Sequence, residues 1–142
     1  MFDLDTCVCF STNKVAKKLA DTFNERLLPF GVTRVQWTAM YFLLRDGRMS
    51  QKELSDKMNI KESTTVRLVD RMEKDGFIVR FKDSNDRRIT YIELTEKGKK
   101  RIEELLPEGE KMSQLASRGI SDEEIEIFKK VLDKFMENLE NV

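Results

Sequence analysis

Histidine is absent from this chain of 142 residues. The commonest general base and the commonest transition-metal ligand are therefore missing throughout. Cysteine is scarce, with Cys7 and Cys9 standing one residue apart. So close a pair makes a poor structural disulfide, and a reducing cytosol would keep both as thiols. Net charge is also absent, because 26 basic residues meet 26 acidic ones. No apolar run approaches the roughly 20 residues that span a bilayer, and the N-terminus lacks a basic-then-apolar leader pattern. A cytoplasmic location without a membrane partner is expected. There is no phosphate-binding glycine loop, no nucleophile motif and no fixed carboxylate pair. Enzymatic activity, a cofactor and a bound metal are not expected.

What is present is a chain of single-domain length, able to bury about two-thirds of its unfolded surface. Its charge is unevenly distributed. Residues 1–60 carry 9 basic and 7 acidic side chains, residues 61–95 carry 8 and 7, and residues 96–142 carry 9 and 12. The acid is thus concentrated toward the C-terminus. The segment Lys61–Arg88 has a small basic excess, 8 against 6.

Apolar spacing predicts a helix over 8–29, stopped by Pro29-Phe30-Gly31. Thr33 with Gln36 has the spacing of a capping box and opens a second helix that ends at Asp46-Gly47. Arg48-Met49 suits a small edge strand. Ser50 with Glu53 repeats the capping-box spacing and starts a short helix ending near Met58. Asn59-Ile60-Lys61 is a turn, and the following helix runs to about Asp75, closed by Gly76. Stepping 100° per residue places Thr65, Val66, Val69 and Met72 on its buried face. Ser63, Thr64, Arg67, Asp70, Arg71 and Lys74 fall on the other. Residues 77–81 and 89–94 alternate as a hairpin around the polar turn Lys82–Arg88. A long helix follows Thr95, in which Gly98 costs helicity and Pro107 with Gly109 predict a break or kink. Ser121 with Glu124 opens a last amphipathic helix.

The expected fold is mainly α with a small β-hairpin. Its centre is a winged helix-turn-helix over 33–95, flanked by helical dimerisation regions at 1–32 and 96–142. DNA's major groove admits one α-helix, whose N-terminal half reaches base edges with short polar side chains and arginine. Ser63, Thr64 and Arg67 stand at that end. Arg71 and Lys74 lie further along, where phosphate contacts are expected. Arg87 and Arg88 at the hairpin tip suit a narrow, electronegative minor groove. Asp86 beside them is better placed to brace an arginine than to face phosphate.

The chain resembles the MarR family of winged-helix transcriptional regulators. The matching pieces are Thr33-Arg-Val-Gln36-Trp37, Ser50-Gln-Lys-Glu53-Leu54, Ile60, Ser63-Thr64, Arg67-Leu-Val-Asp70-Arg71-Met-Glu73, Gly76-Phe77-Ile78, Asp86-Arg87-Arg88, Leu94-Thr95, Gly98 and Gly119-Ile-Ser121-Asp-Glu-Glu124. Their order and spacing carry the match. Ser84 departs from it, since many members have proline there. The resemblance implies a homodimer on an inverted-repeat operator in double-stranded DNA. It also implies repression relieved by a small aromatic or anionic effector, or by an oxidant.

Trp37, Met40 and Tyr41 are the candidate effector lining, with ordinary core packing as the alternative. Cys9-Phe10 is similar to the sensing cysteine of peroxide-responsive members, but the supporting tyrosines are replaced here by Val35-Gln36-Trp37. A buried, passive thiol is the alternative for Cys9. A winged helix that docks proteins is the remaining alternative to DNA binding, and the arginines at the wing argue against it.

Overall fold

A computed structural model describes residues 1–142. Six helices and a three-stranded sheet follow one another. They are α1 (Val8–Leu27), α2 (Arg34–Asp46), β1 (Met49–Ser50), α3 (Gln51–Met58), α4 (Glu62–Lys74), β2 (Ile78–Lys82), β3 (Thr90–Leu94), α5 (Glu96–Ala116) and α6 (Asp122–Glu140). Short 3-10 turns precede α1 and follow it. The expected mainly α winged-helix class is what the chain adopts.

The chain forms two compact units, Met1–Gly109 and Glu110–Val142. In the first, the sheet has the order β1-β3-β2, all antiparallel. β2 pairs with β3 from Ile78 opposite Leu94 to Lys82 opposite Thr90. Two residues of β1 add to the other edge of β3, Met49 opposite Ile92. The core under this sheet is made by Leu54 of α3, Val69 and Met72 of α4, Met40 and Leu43 of α2, Ile78, Ile92, and Ile102 and Leu105 of α5. The second unit contains α6, which buries none of its residues.

Local signals set the helix starts. Thr33 and Gln36 close a full capping box, as do Ser121 and Glu124. At Ser50 only half of the box forms, with Glu53 N donating to Ser50 Oγ at 3.1 Å. The turn before α4 is made by Asn59, whose φ of 53° is left-handed; asparagine tolerates that conformation better than most residues.

Three sequence expectations need correction. The first helix ends at Leu27, two residues early, because Leu28–Phe30 tighten into a 3-10 turn around Pro29. Val66 is not on the buried face of α4; it is 37% exposed. Only Thr65, Val69 and Met72 are covered, a narrower stripe than the 100° wheel suggests.

The third concerns α5, which continues unbroken through Pro107 to Ala116. Packing accounts for its glycines instead. A Cβ at Gly109 would stand 2.6 Å from Trp37 Cζ2. The Trp37 indole also donates its N–H to the Leu105 carbonyl at 2.8 Å. A Cβ at Gly98 would collide with the Phe77 carbonyl oxygen, so the first turn of α5 lies directly on the backbone entering β2.

Candidate nucleic-acid interface

The helix-turn-helix is locked from inside. The Ser55 hydroxyl of α3 donates to Thr65 Oγ1 of α4 at 2.7 Å, in a buried contact. Leu54, Val69 and Met72 pack around it. Between α2 and α3, Asp46 accepts from Arg45 at 2.8 Å and from Lys57 at 3.0 Å. Those two cations hold its carboxyl well below the usual carboxylate range, Arg45 first. With its inner face satisfied, α4 turns Ser63, Thr64, Arg67, Arg71 and Lys74 to solvent.

Two of the three acids on that helix are engaged by another element. Arg80 of β2 reaches across to Asp70 at 2.7 Å and to Glu73 at 3.0 Å. The Glu73 carboxyl is held below its ordinary value chiefly by that Arg80 hydrogen bond. Arg67, Arg71 and Lys74 form no ion pair. The open face of α4 therefore presents free positive charge although its composition is nearly balanced. Thr64, Arg67 and Arg71 also border a groove with Thr33 and Gln36 at the start of α2.

The wing tip is built on two aspartates. Asp83 Oδ2 accepts from the backbone N–H of Asn85 at 3.0 Å and of Asp86 at 2.9 Å. Asp86 then accepts from the Arg88 backbone N–H and from its guanidinium, each at 3.0 Å. The pairing lowers the Asp86 carboxyl, mainly through the Arg88 side chain. The Arg88 side chain is still 90% exposed, braced at its root and free at its outer edge. Arg87 has no acidic partner. The bracing of an arginine by Asp86 matches the sequence reading.

Arg80 and Asp83 were not legible as functional residues. Asp83 followed by Asn85 and Asp86 in a turn is a recognisable side-chain-to-backbone turn signal. Nothing in the sequence marks Arg80, since its partners lie seven and ten positions earlier on another element.

The remaining candidates lie apart from this surface. Met40 is fully buried in the core and offers no surface to a ligand in this conformation. Trp37 is half-buried, stacked on Tyr41 with ring centres 5.7 Å apart and edge-on to Phe23 at 5.2 Å. Tyr41 also lies under Arg45. Cys9 is exposed. Its neighbour Cys7 is the residue preceding the first turn of α1, and its thiol is lowered by the backbone N–H groups of Phe10 and then Cys9. No group of cysteine and carboxylate side chains is arranged to hold a metal, and no helix is long and apolar enough to cross a membrane.

Comparison with known proteins agrees with this geometry. Residues 32–90 match the MarR family model. The chain is 30% identical over 127 residues to the HTH-type transcriptional repressor YetL of Bacillus subtilis, covering 88% of this chain and 76% of that one. Its fold matches the MepR–DNA complex of S. aureus with a TM-score of 0.85 at 23% identity, over 93% of this chain and 98% of that one. It also matches Bordetella bronchiseptica BpsR, whose DNA binding is regulated by 6-hydroxynicotinic acid, with a TM-score of 0.87 at 20% identity over 96% and 97%. The family comprises DNA-binding regulators, not enzymes. The chain carries a helix-turn-helix, a wing and the core that joins them, and it belongs to the MarR family of transcriptional regulators.

Proposed function

We propose that this regulator is a cytoplasmic homodimeric repressor that binds an inverted-repeat operator and releases it on binding a small aromatic or anionic effector. The observation that carries the DNA-binding part is the separation of charge on α4. Arg80 occupies both Asp70 and Glu73, which leaves Arg67, Arg71 and Lys74 unpaired on the open face. In this reading α4 enters the major groove. Ser63, Thr64 and Arg67 meet base edges, while Arg71 and Lys74 meet phosphates. Arg88 enters the adjacent minor groove with Asp86 fixing its root, and Arg87 adds phosphate contact.

The dimer is supported by apolar surface at both ends of the chain, the functional parts at 1–32 and 96–142. Phe128 is 55% exposed and Leu139 67% on α6, and Phe10, Val15 and Leu19 are exposed on α1. That is more apolar surface than a helix leaves uncovered in water. Two copies of α4 about one helical turn apart, roughly 10 base pairs, would read the two half-sites. The likeness to YetL, a transcriptional repressor, supports repression, and the likeness to BpsR, regulated by 6-hydroxynicotinic acid, supports an aromatic acid effector. An effector must bind one dimer geometry better than the other to release DNA. Trp37 and Tyr41 remain its candidate lining, with Met40 reachable only after the core opens. Titrating aromatic carboxylates against Trp37 fluorescence and operator affinity tests this; no change in either removes the effector cleft.

A second reading is favoured by one observation. The depressed thiol of Cys7 at the start of α1 suits oxidation, with Cys9 its neighbour. If peroxide releases operator from wild type but not from Cys7→Ser or Cys9→Ser, a thiol is the trigger. Equal release in all three excludes it.

A further inference from the structure

Val66 is the apolar residue that interrupts the polar outer surface of α4. It is 37% exposed, one position before Arg67 and three after Ser63. It borders a groove between the reading helix and the wing, with Gln51, Arg80, Phe81, Lys82 and Thr90 around it. The wing does not cover it. Valine is stiff at χ1, so its two methyl groups are held in place before any partner arrives. The neighbouring Asp70, four residues on, is already paired with Arg80 at 2.7 Å, which offsets one of the acids on this side; Glu62, four residues before, stays unpaired.

The major-groove edge of unmodified DNA offers donors, acceptors and one apolar group, the C5-methyl of thymine. A valine on the outer side of a helix lying in that groove can gain from burial only against that group. We infer that Val66 reads a thymine methyl in each operator half-site. This rests on the DNA-binding reading above and adds to it a base preference, a thymine beside the position that Arg67 contacts.

The test uses the full chain and a duplex that it selects from a random-sequence pool. Each thymine of the selected duplex is replaced singly by deoxyuridine, which removes only the methyl. Binding is followed by fluorescence anisotropy at one salt concentration. Wild type should lose about fourfold in affinity at one uracil position in each half-site, the worth of one buried methyl. Val66→Ala, which alters both half-sites of the dimer at once, should bind the thymine duplex about sixteenfold more weakly and lose nothing further with uracil. Val66→Thr keeps one methyl and should remain uracil-sensitive. Val66 is exposed, so these variants should retain the wild-type circular dichroism spectrum.

If no uracil position weakens wild type, or if Val66→Ala keeps the full uracil loss, the methyl contact is wrong while DNA binding stands. If wild type selects no duplex at all, both readings fall together.

Discussion

Helix α4, which we propose reads DNA, and the terminal helix α6 are both amphipathic, yet they dispose of their apolar residues in opposite ways. α4 buries Thr65, Val69 and Met72 within its own chain and leaves arginines outside. α6 buries nothing and exposes Ile127, Phe128, Val131, Met136 and Leu139. Charge follows the same division. The bases of α4 are left unpaired because Arg80 takes two of its three acids, Asp70 and Glu73. On α6, Lys129 lies near Glu126 and Lys134 near Glu137, each pair within the helix at 3.5 and 3.6 Å. α4 is packed within its own chain and presents unpaired bases, whereas α6 has no buried residue and carries seven acids against three bases. The first arrangement suits a polyanion and the second suits another apolar surface.

The comparison breaks first where α6 is altered. Phe128→Glu would bury an unpaired carboxylate in the proposed dimer, at a cost of several kcal/mol. Sedimentation at micromolar concentration should then show monomer, whereas Arg71→Glu on α4 should leave the dimer intact. A wild-type chain that sediments as a folded monomer would remove the contrast.

Within the winged region, Gly98→Ala should destabilise by about 2–3 kcal/mol, because the added methyl meets backbone and not a movable side-chain end. A lowered denaturant midpoint with an unchanged slope checks it. Gly109→Ala meets the Trp37 ring instead, so it should perturb Trp37 fluorescence as well as stability.

Arg67→Ala should cost about 1–3 kcal/mol in operator binding and relax specificity at one base position. Arg80→Met touches no DNA in this account. It should still weaken operator binding, by roughly 1 kcal/mol, because it frees two carboxylates beside the phosphates. The double variant Arg80→Met with Asp70→Asn should recover part of that loss.

The smallest effect concerns pH. Asp46, Glu73 and Asp86 have folded-state pKa values depressed by their arginine partners. Their stabilisation is complete above the unfolded carboxylate pKa, roughly 4, and is lost as pH falls through the lower folded values. Asp46→Asn should therefore lower stability near pH 7 and leave it little changed at low pH, which flattens the acid limb of the stability curve. An unchanged acid limb would show that the Arg45 and Lys57 contacts are too solvated to matter.

Much of the fold was legible because local rules agreed with one another. Two capping boxes, a left-handed Gly76 and strand alternation around a polar turn each fixed one boundary. Long-range contacts were not legible. Gly109 reads as a helix breaker until the Trp37 ring is seen against it, and Val66 reads as core until the wing is seen to leave it bare. The exposure of Ser63, Thr64, Arg67, Arg71 and Lys74 on α4 and of Arg87 and Arg88 on the wing was legible from their types and positions. What makes them available, the capture of Asp70 and Glu73 by Arg80, spans two elements and has no sequence period.

The central claim is that the exposed faces of α4 and the wing read DNA sequence. Its most direct test is an anisotropy titration of wild type and of the triple variant Arg67→Ala, Arg87→Ala, Arg88→Ala. Each is titrated against the duplex the wild type selects and against a scrambled duplex at the same salt. Wild type should prefer the selected duplex by on the order of a thousandfold or more, and the triple variant should lose most of that preference with its fold intact. Equal binding of both duplexes by wild type, or an undiminished preference in the triple variant, would contradict the account.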